Sequence, residues 1–543
     1  MVPKLPWNIK NDDLIECKYR FRRKLVPSIV ARVNGREEEG GENTESSLAR
    51  GGLFDKSLRT TLSEQPQPDE WGDHFALHGR SFPPMGLDRS SLNRRIFLLG
   101  SLASGTVVGS LRRARGDEDG RPSVLNPKAT DGDDRFEPRW EERLTVKVGN
   151  PGHDRQADMT GRDDKVIQAA LGYVAGLGGG TVQLLPGTFT LRHPVVLPSN
   201  VRLKGAGAET ILTKIPSRSV ELANDSDWYD REITLAQDGG FQVGDGVVLR
   251  AKDTHGNRSL IIKRTLVGRS GNRFRLDEGL RENLWLSGKP TCSSMFPLLT
   301  ARERTSDVVI EDLVLDGDRA NNEHLDGNYA GCVFLQACNR FTFRNVEARN
   351  YHGDGISFQI THDVVVENCH VHDNADLGLH PGSGSQRPLM RNNRLVRNSI
   401  GLFWCWGVKY GLAEKNWIEG NRDYGVSIGH QDTDNVIREN EILASGKVGI
   451  LFRDENRGKD FWPNRNTVES NRVIDSGGEQ GVAIDVRGKV HDLVIRNNTC
   501  QETRGAQKRT GLKISPEARK IEVAENRFEG FAADVVDQRE SMT

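Results

Sequence analysis

From residue 301 onward the apolar positions come in short alternating bursts, most of them opened by a glycine. Those glycines stand at 331, 355, 378, 401, 425, 449, 481 and 511, at spacings of 24, 23, 23, 24, 24, 32 and 30. Alternation over four or five residues predicts a strand with one buried face. A second series keeps the same step: Asn345, Asn368, Asn393, Asn416, Asn440, Asn471, Asn498 and Asn526. A unit of 23 to 24 residues with three short strands and Gly or Asn at its corners predicts stacked coils of a parallel β-helix. Leucine-rich repeats share this length, but their L-x-x-L-x-L pattern is absent. The asparagines are read as structural, because Asn tolerates left-handed corners and its amide bonds along a stack.

Upstream the pattern changes twice. From Asp163 or Asp164, read as N-cap, the apolar positions Val166, Ala169, Ala170 and Val174 follow a helical step that stops at Gly178 to Gly180. Over 216–300, "FQVGDGVVLRAK" and "SLIIKRTLVGRSGNRFRLDEGL" alternate like antiparallel hairpins, which predicts an inserted β subdomain. The β-helix is expected over 145–535, and 116–144 is expected to be a polar linker.

Composition adds bounds. The 543 residues include 58 glycines, which suits many tight turns. Lys plus Arg number 75 against 76 Asp plus Glu, a net charge of -1, so no basic surface argues for nucleic acid. Seven cysteines, at 17, 292, 332, 338, 369, 405 and 500, show no C-x-x-C spacing. Cys369 with His370 and His372 is therefore read as structural, not as a zinc site. "SLNRRIFLLGSLASGTVVGSLRRARG" sets Arg94 and Arg95 before an apolar run from Ile96 to Leu111, too short for a membrane span. It resembles a twin-arginine export signal. The 85–115 signal then implies translation from Met85, a non-native or disordered 1–84 extension, no stable membrane span after export, and a periplasmic or extracellular protein.

Alternation also gives a surface map. Counting from each glycine, the first and third residues face inward and the second and fourth outward. The outward columns are Val333, Ser357, His380, Phe403, Ser427, Leu451, Ala483, Lys513 and Leu335, Gln359, Gly382, Cys405, Gly429, Arg453, Asp485, Ser515. Neighbouring coils stand ~4.8 Å apart, within reach of one substrate. His, Arg, Trp and Asp beside Gly and Ser read as a functional groove rather than a merely wet face.

The phrases "GGGTVQLLPGTFTL" and "VRLKGAGAETIL" resemble the start of the rhamnogalacturonase and epimerase type of pectate-lyase-like domain. The resemblance implies an all-β, right-handed parallel β-helix whose helix caps the open end. "LGLHPGSGS" is similar to the Y-G-F-D-P-H element of mannuronan epimerases and alginate lyases, with Gly378, Leu379 and Pro381 matching. Leu377, His380 and Gly382 replace its tyrosine, aspartate and histidine, while "YGVSIGH" supplies Tyr424 and His430 further along. The expected substrate is an acidic, uronate-containing polysaccharide, processed by β-elimination or epimerisation.

That chemistry needs a base beside the ring carbon and a cation for the carboxylate. His380 and His430 are the candidate bases, with Tyr424, and Arg453 and Lys409 the candidate cations. Gln359, Phe403, Trp406, Tyr410 and Arg487 are expected to bind sugar. Asp432, Asp434, Asp454 and Glu455 are candidate oxygen ligands for Ca2+. Two alternatives stand: inverting hydrolysis by Asp454 and Asp485, and a non-catalytic glycan-binding or surface β-helix.

Overall fold

Eleven strands stack in chain order into one parallel sheet, from Val195–Leu197 through Leu299–Ala301, Gly331–Gln336, Asp354–Gln359, Leu377–Gly382, Ile400–Phe403, Tyr424–Ile428, Val448–Phe452, Val482–Val486 and Thr510–Ile514 to Ala533–Asp537. Its outward face is the one on which the sequence map expects a groove, and the sheet is called the groove sheet for that reason. The other coil strands form a second, 22-stranded parallel sheet that wraps the remaining faces. The architecture is that of a computed structural model, which describes residues 119–122, 137–152, 155–254, 256 and 258–539. The expected extension and export signal, and much of the linker, lie outside the described residues. Where the linker is described it is not wholly solvated: Arg121 is fully buried, pairs with Asp119 and donates to the Arg387 carbonyl.

One apolar column fixes the register. Val333, Ile356, Leu379, Leu402, Val426, Ile450, Ile484 and Leu512 lie side by side on successive coils and belong to one core cluster. The corner glycines matter for close approach. A Cβ on Gly401 would lie 2.8 Å from the Gly425 carbonyl oxygen and 2.5 Å from Ile418. Two corners differ from the glycine count. Val333 pairs with Ile356, so Cys332 takes the corner and Val333 and Leu335 point into the core, not outward. Ile450 pairs with Ile484, so Ala483 takes the corner and Gly481 lies two residues earlier.

The asparagines behave as two sets. Asn393, Asn416, Asn440, Asn471, Asn498 and Asn526 form a ladder in which each amide nitrogen donates to the next side-chain oxygen. Asn345 and Asn368 lie one residue earlier in their coils and take the left-handed backbone, with φ of 52° and 54°. The left-handed corner and the ladder are thus adjacent positions, not one.

The helix Asp164–Gly176 closes the first coil. Asp163 caps it by accepting the Lys165 amide, and Ile167, Ala170, Leu171 and Val174 enter the core. Between Ser219 and Ser293 six antiparallel strands form a separate sheet around Val220, Leu249, Phe241 and Phe274.

Candidate functional site

Outward positions of the groove sheet fall in two columns. The first runs Phe334, Ser357, His380, Phe403, Ser427, Leu451, Asp485, Lys513. The second runs Gln336, Gln359, Gly382, Cys405, Gly429, Arg453, Arg487. The coil containing Gly481 therefore contributes Asp485 to the first column and Arg487 to the second, a shift of two from the sequence count.

His380 lies beneath the surface of this sheet. It is 2 % exposed, and its Nδ1 sits 2.7 Å from Asp354 Oδ2 and 3.3 Å from Ser357 Oγ. Gly327 packs directly over the Asp354 carboxylate, and its carbonyl accepts the Ser357 hydroxyl. Burial pushes the Asp354 carboxyl up to about 6 against the pull of His380. Burial acts the other way on His380, yet Asp354 and the Cys405 side chain drive it up to about 10. At neutral pH the pair is an imidazolium beside a carboxylate, so His380 has no free lone pair with which to serve as base.

Above it Phe403 meets the His380 ring edge-on, with centroids 5.4 Å apart. The Arg453 guanidinium lies 4.3 Å over Phe403, donates to Ser427 Oγ at 2.8 Å and to the Trp404 carbonyl at 3.0 Å, and pairs with Glu455 at 3.0 Å. Gly429 makes this possible: its absent Cβ would stand 2.0 Å from Arg453 Nη2. Gly382 plays the same part for Gln359, whose amide fills the space over it.

His430 stands at the end of its strand in an aromatic frame, 5.0 Å from Trp406 and 5.5 Å from Phe461. Burial lowers its pKa to about 4. Its Nδ1 accepts the Arg457 backbone N–H at 3.1 Å, which leaves the proton of the neutral ring on Nε2. His430, itself buried, therefore has its lone pair taken up within the fold and is not a base. The Arg457 guanidinium covers Trp406 at 5.0 Å.

A model of the family described as a right handed beta helix region matches residues 331–500. The chain is a right-handed parallel β-helix. Among solved structures, the A-module of mannuronan C-5 epimerase AlgE6 from Azotobacter vinelandii is 16% identical at a TM-score of 0.44, covering 69% of this chain and 91% of that one. PfbA, a surface adhesin of Streptococcus pneumoniae, is 13% identical at 0.44, covering 72% and 93%. The Gp54 tailspike of Acinetobacter baumannii bacteriophage AP22, solved in complex with A. baumannii capsular saccharide, is 13% identical at 0.33, covering 68% and 69%. No curated protein matches the chain.

The β-helix separates several residues that its sequence groups. Tyr424 opens its strand in the column of Ile400 and Val448, with Lys447 5.7 Å from its ring. It is six residues from His430, about 20 Å along an extended strand, so the two do not act on one atom. Lys409 bridges Gln386 and Thr433 in the segment after the turn. Tyr410 follows it at φ 58° and is buried, which removes it as a sugar platform. Asp485 is buried and held by Arg487 at 2.7 Å, while Asp454 is exposed and lies over Gly488.

The calcium candidates do not form a cation cage. Asp432 is fully buried and accepts the Gly429 and Val408 amides. Asp434 takes both prongs of Arg465, at 2.8 and 2.9 Å, and Glu455 takes Arg453. Among the described residues no group of three His, Cys, Asp or Glu side chains is placed to hold a metal. Asp432, Asp434 and Glu455 are bound to cations and amides of the chain and Asp454 lies apart over Gly488, so the four do not converge as oxygen ligands for Ca2+.

Strand alternation does not single out Asp354, the partner that holds His380. Asp354 precedes a corner glycine, one coil away from His380, and only the register brings the two together.

Proposed function

We propose that this β-helix is an exported protein that binds an acidic polysaccharide across the strands of the groove sheet and acts on it there. The observation that carries the reading is the Arg453 guanidinium spread on Phe403 over a neighbouring glycine. A fixed cation on a flat apolar surface suits a carboxylate on a sugar ring. Arg487 continues the same column, and the Arg457–Trp406 pair stands beside His430 past the end of its strand, whereas Gln359, 1% exposed, lies too deep in the column to meet a sugar. Elimination or epimerisation keeps its cation in Arg453 under this geometry but loses both histidine bases. Hydrolysis by Asp454 and Asp485 starts with Asp485 already paired to Arg487.

Gly429→Ala is the sharpest test. The new methyl meets the far end of a flexible side chain, so the fold persists while the guanidinium leaves Phe403. Affinity for polygalacturonate or alginate is expected to fall by about tenfold or more, the worth of one charge-assisted hydrogen bond, with an unchanged circular-dichroism melt. Full affinity in both Gly429→Ala and Arg453→Ala would overturn the reading. A panel of uronate polymers followed at the ultraviolet band of unsaturated products, with and without chelator, tests the chemistry. Elimination expects new absorbance, and a groove whose two histidines cannot accept the proton expects none. N-terminal sequencing of the exported protein tests Met85 as the start.

A further inference from the structure

The turns that lead into the groove-sheet strands form a row of their own. A short side-chain ladder, from Asn374 through Asn398 to Asn421, holds three of them in register. Along this row Asp373 takes both prongs of Arg397 and the His372 ring, Asp376 takes His324, and Asp423 takes Lys447 and the Ser399 hydroxyl. Arg319 and Arg422 are different. They come from turns four coils apart, about 19 Å along the stack, and reach toward one another over the turn midway between them. Arg319 donates to the Asp373 carbonyl at 3.3 Å. Arg422 donates to the Asn374 carbonyl at 3.4 Å, to the Ala375 carbonyl, and to the Arg397 carbonyl at 3.1 Å. Both residues are exposed, and neither has a carboxylate within ion-pair distance among the described residues. A guanidinium has five N–H donors. Arg319 spends one on the turn and Arg422 three, so the Nε–H of each is unspent among the described residues. Burial, and then the Arg319 charge, hold the Arg422 guanidinium below its usual pKa. A surface cavity of about 630 Å³ opens at Arg319, lined also by Asp316, Asp318, Ala320, Asn350 and His352. Of its two carboxylates, Asp316 is paired with Arg349 and Asp318 accepts the Asn321 amide on Oδ1.

We propose that Arg319 and Arg422 form an oxyanion site at the edge of the groove sheet opposite Arg453, and that its ligand is a carboxylate on a second sugar unit of the bound polysaccharide. The identity of the ligand rests on the glycan reading; the site itself does not. Guanidinium groups match the paired oxygens of a carboxylate, sulfate or phosphate. The two here stand on a turn fixed by the asparagine ladder, so little ordering is lost on binding. Arg453 follows the other end of its strand, Val448–Phe452. The six residues of Leu377–Gly382 measure the separation, about 20 Å across the sheet. A uronate chain long enough to bridge that width holds both ends, and its second contact forms as an intramolecular step. Short oligomers reach only one end, so the pair selects for length.

The test uses the full chain and phenylglyoxal, which modifies accessible guanidinium groups, read by peptide mass spectrometry. Arg319 and Arg422 are expected to be modified in the free protein and protected about tenfold or more by saturating polygalacturonate. In Arg319→Gln/Arg422→Gln the affinity for polygalacturonate is expected to fall about tenfold or more. The preference for the polymer over digalacturonate is expected to fall with it, which a purely structural role in the turn would not produce. Protection is measured on the native chain, so it decides the matter even where the double variant fails to fold. Equal modification with and without polygalacturonate, in a protein that binds that polymer, overturns the proposal. Protection by inorganic sulfate in a protein that binds no uronate polymer upholds the oxyanion site and refutes the glycan reading alone. Protection by neither anion overturns the site.

Discussion

Lys214→Met is expected to stabilise the protein by about 2–4 kcal/mol at pH 7, the reverse of what replacing a charged residue usually does. Lys214 ends the strand Thr210–Lys214 and is buried. Its Nζ donates to the Phe296 carbonyl at 3.1 Å and lies 4.5 Å from the Phe296 ring and 5.3 Å from the Tyr351 ring. Burial lowers its pKa from 10.5 to about 7. One unit is worth 1.36 kcal/mol, so the linked penalty approaches about 5 kcal/mol. Methionine fills the same space without a charge, and the Phe296 carbonyl keeps the Tyr351 hydroxyl as donor.

The sign follows from linkage. Between pH 7 and 10.5 the unfolded chain holds a proton on Lys214 that the folded chain has given up, so folded stability rises with pH through that window. Above 10.5 both states are neutral and the penalty vanishes; below 7 both are protonated and it is constant. The advantage of Lys214→Met over the native chain should therefore shrink by up to about 1.4 kcal/mol per unit from pH 7 to pH 10. Paired urea titrations across that range measure it. A constant advantage would mean that Lys214 is not titrating in the fold.

The repeat was legible because two physical requirements recur once per coil: a corner too tight for a Cβ, and an amide to bridge the stack. Where another residue meets the requirement, the count slips. Cys332 and Ala483 occupy corners without being glycine, so the neighbouring glycines at 331 and 481 misplace the outward positions of their coils by one and by two. The long turn between Phe452 and Thr467 hides the second slip, since a 32-residue coil offers no internal check.

Depth was the other quantity that alternation could not supply. A period of two tells which side of a sheet a residue takes, not what covers that side. His380 points outward as expected and is still buried, because Phe403 packs on its ring and Asp354, itself covered by Gly327, holds its Nδ1. His430 shows the same limit for protonation: its tautomer is set by an N–H from Arg457, 27 residues on in the chain. The aromatic and cationic character of Phe403, Trp406 and Arg453 was readable, since their outward exposure depends only on strand parity and on the turn that follows.

The ladder carries the second large effect, because its members act through bonds that no other side chain can replace. Asn440 accepts the Asn416 amide at 3.0 Å and the Asn416 Nδ2 at 2.8 Å on its Oδ1, and its own Nδ2 donates to the Ala413 carbonyl at 3.0 Å and to Asn471 Oδ1 at 2.9 Å. Asn440→Ala leaves the buried Asn416 backbone N–H without its acceptor and the Ala413 carbonyl without the Asn440 amide, at roughly 1–3 kcal/mol for a group left unsatisfied, while Asn416 Nδ2 keeps the Met390 carbonyl and Asn471 Oδ1 keeps the Asn440 backbone N–H; some of the cost is relieved by relaxation or a bound water. The expected loss is about 3–5 kcal/mol. Asn440→Asp keeps the acceptor but turns a carboxylate toward the Ala413 and Asn471 oxygens, so it should not rescue. A solenoid couples each coil mainly to its neighbours, so the damage should be local. Hydrogen exchange should accelerate most in the coils around Met390–Ala413 and Ile437–Asn471, with the capping helix and first coils close to native rates. Uniform acceleration along the whole chain would show instead that the β-helix unfolds as one cooperative unit, and that the ladder ties distant coils together rather than adjacent ones.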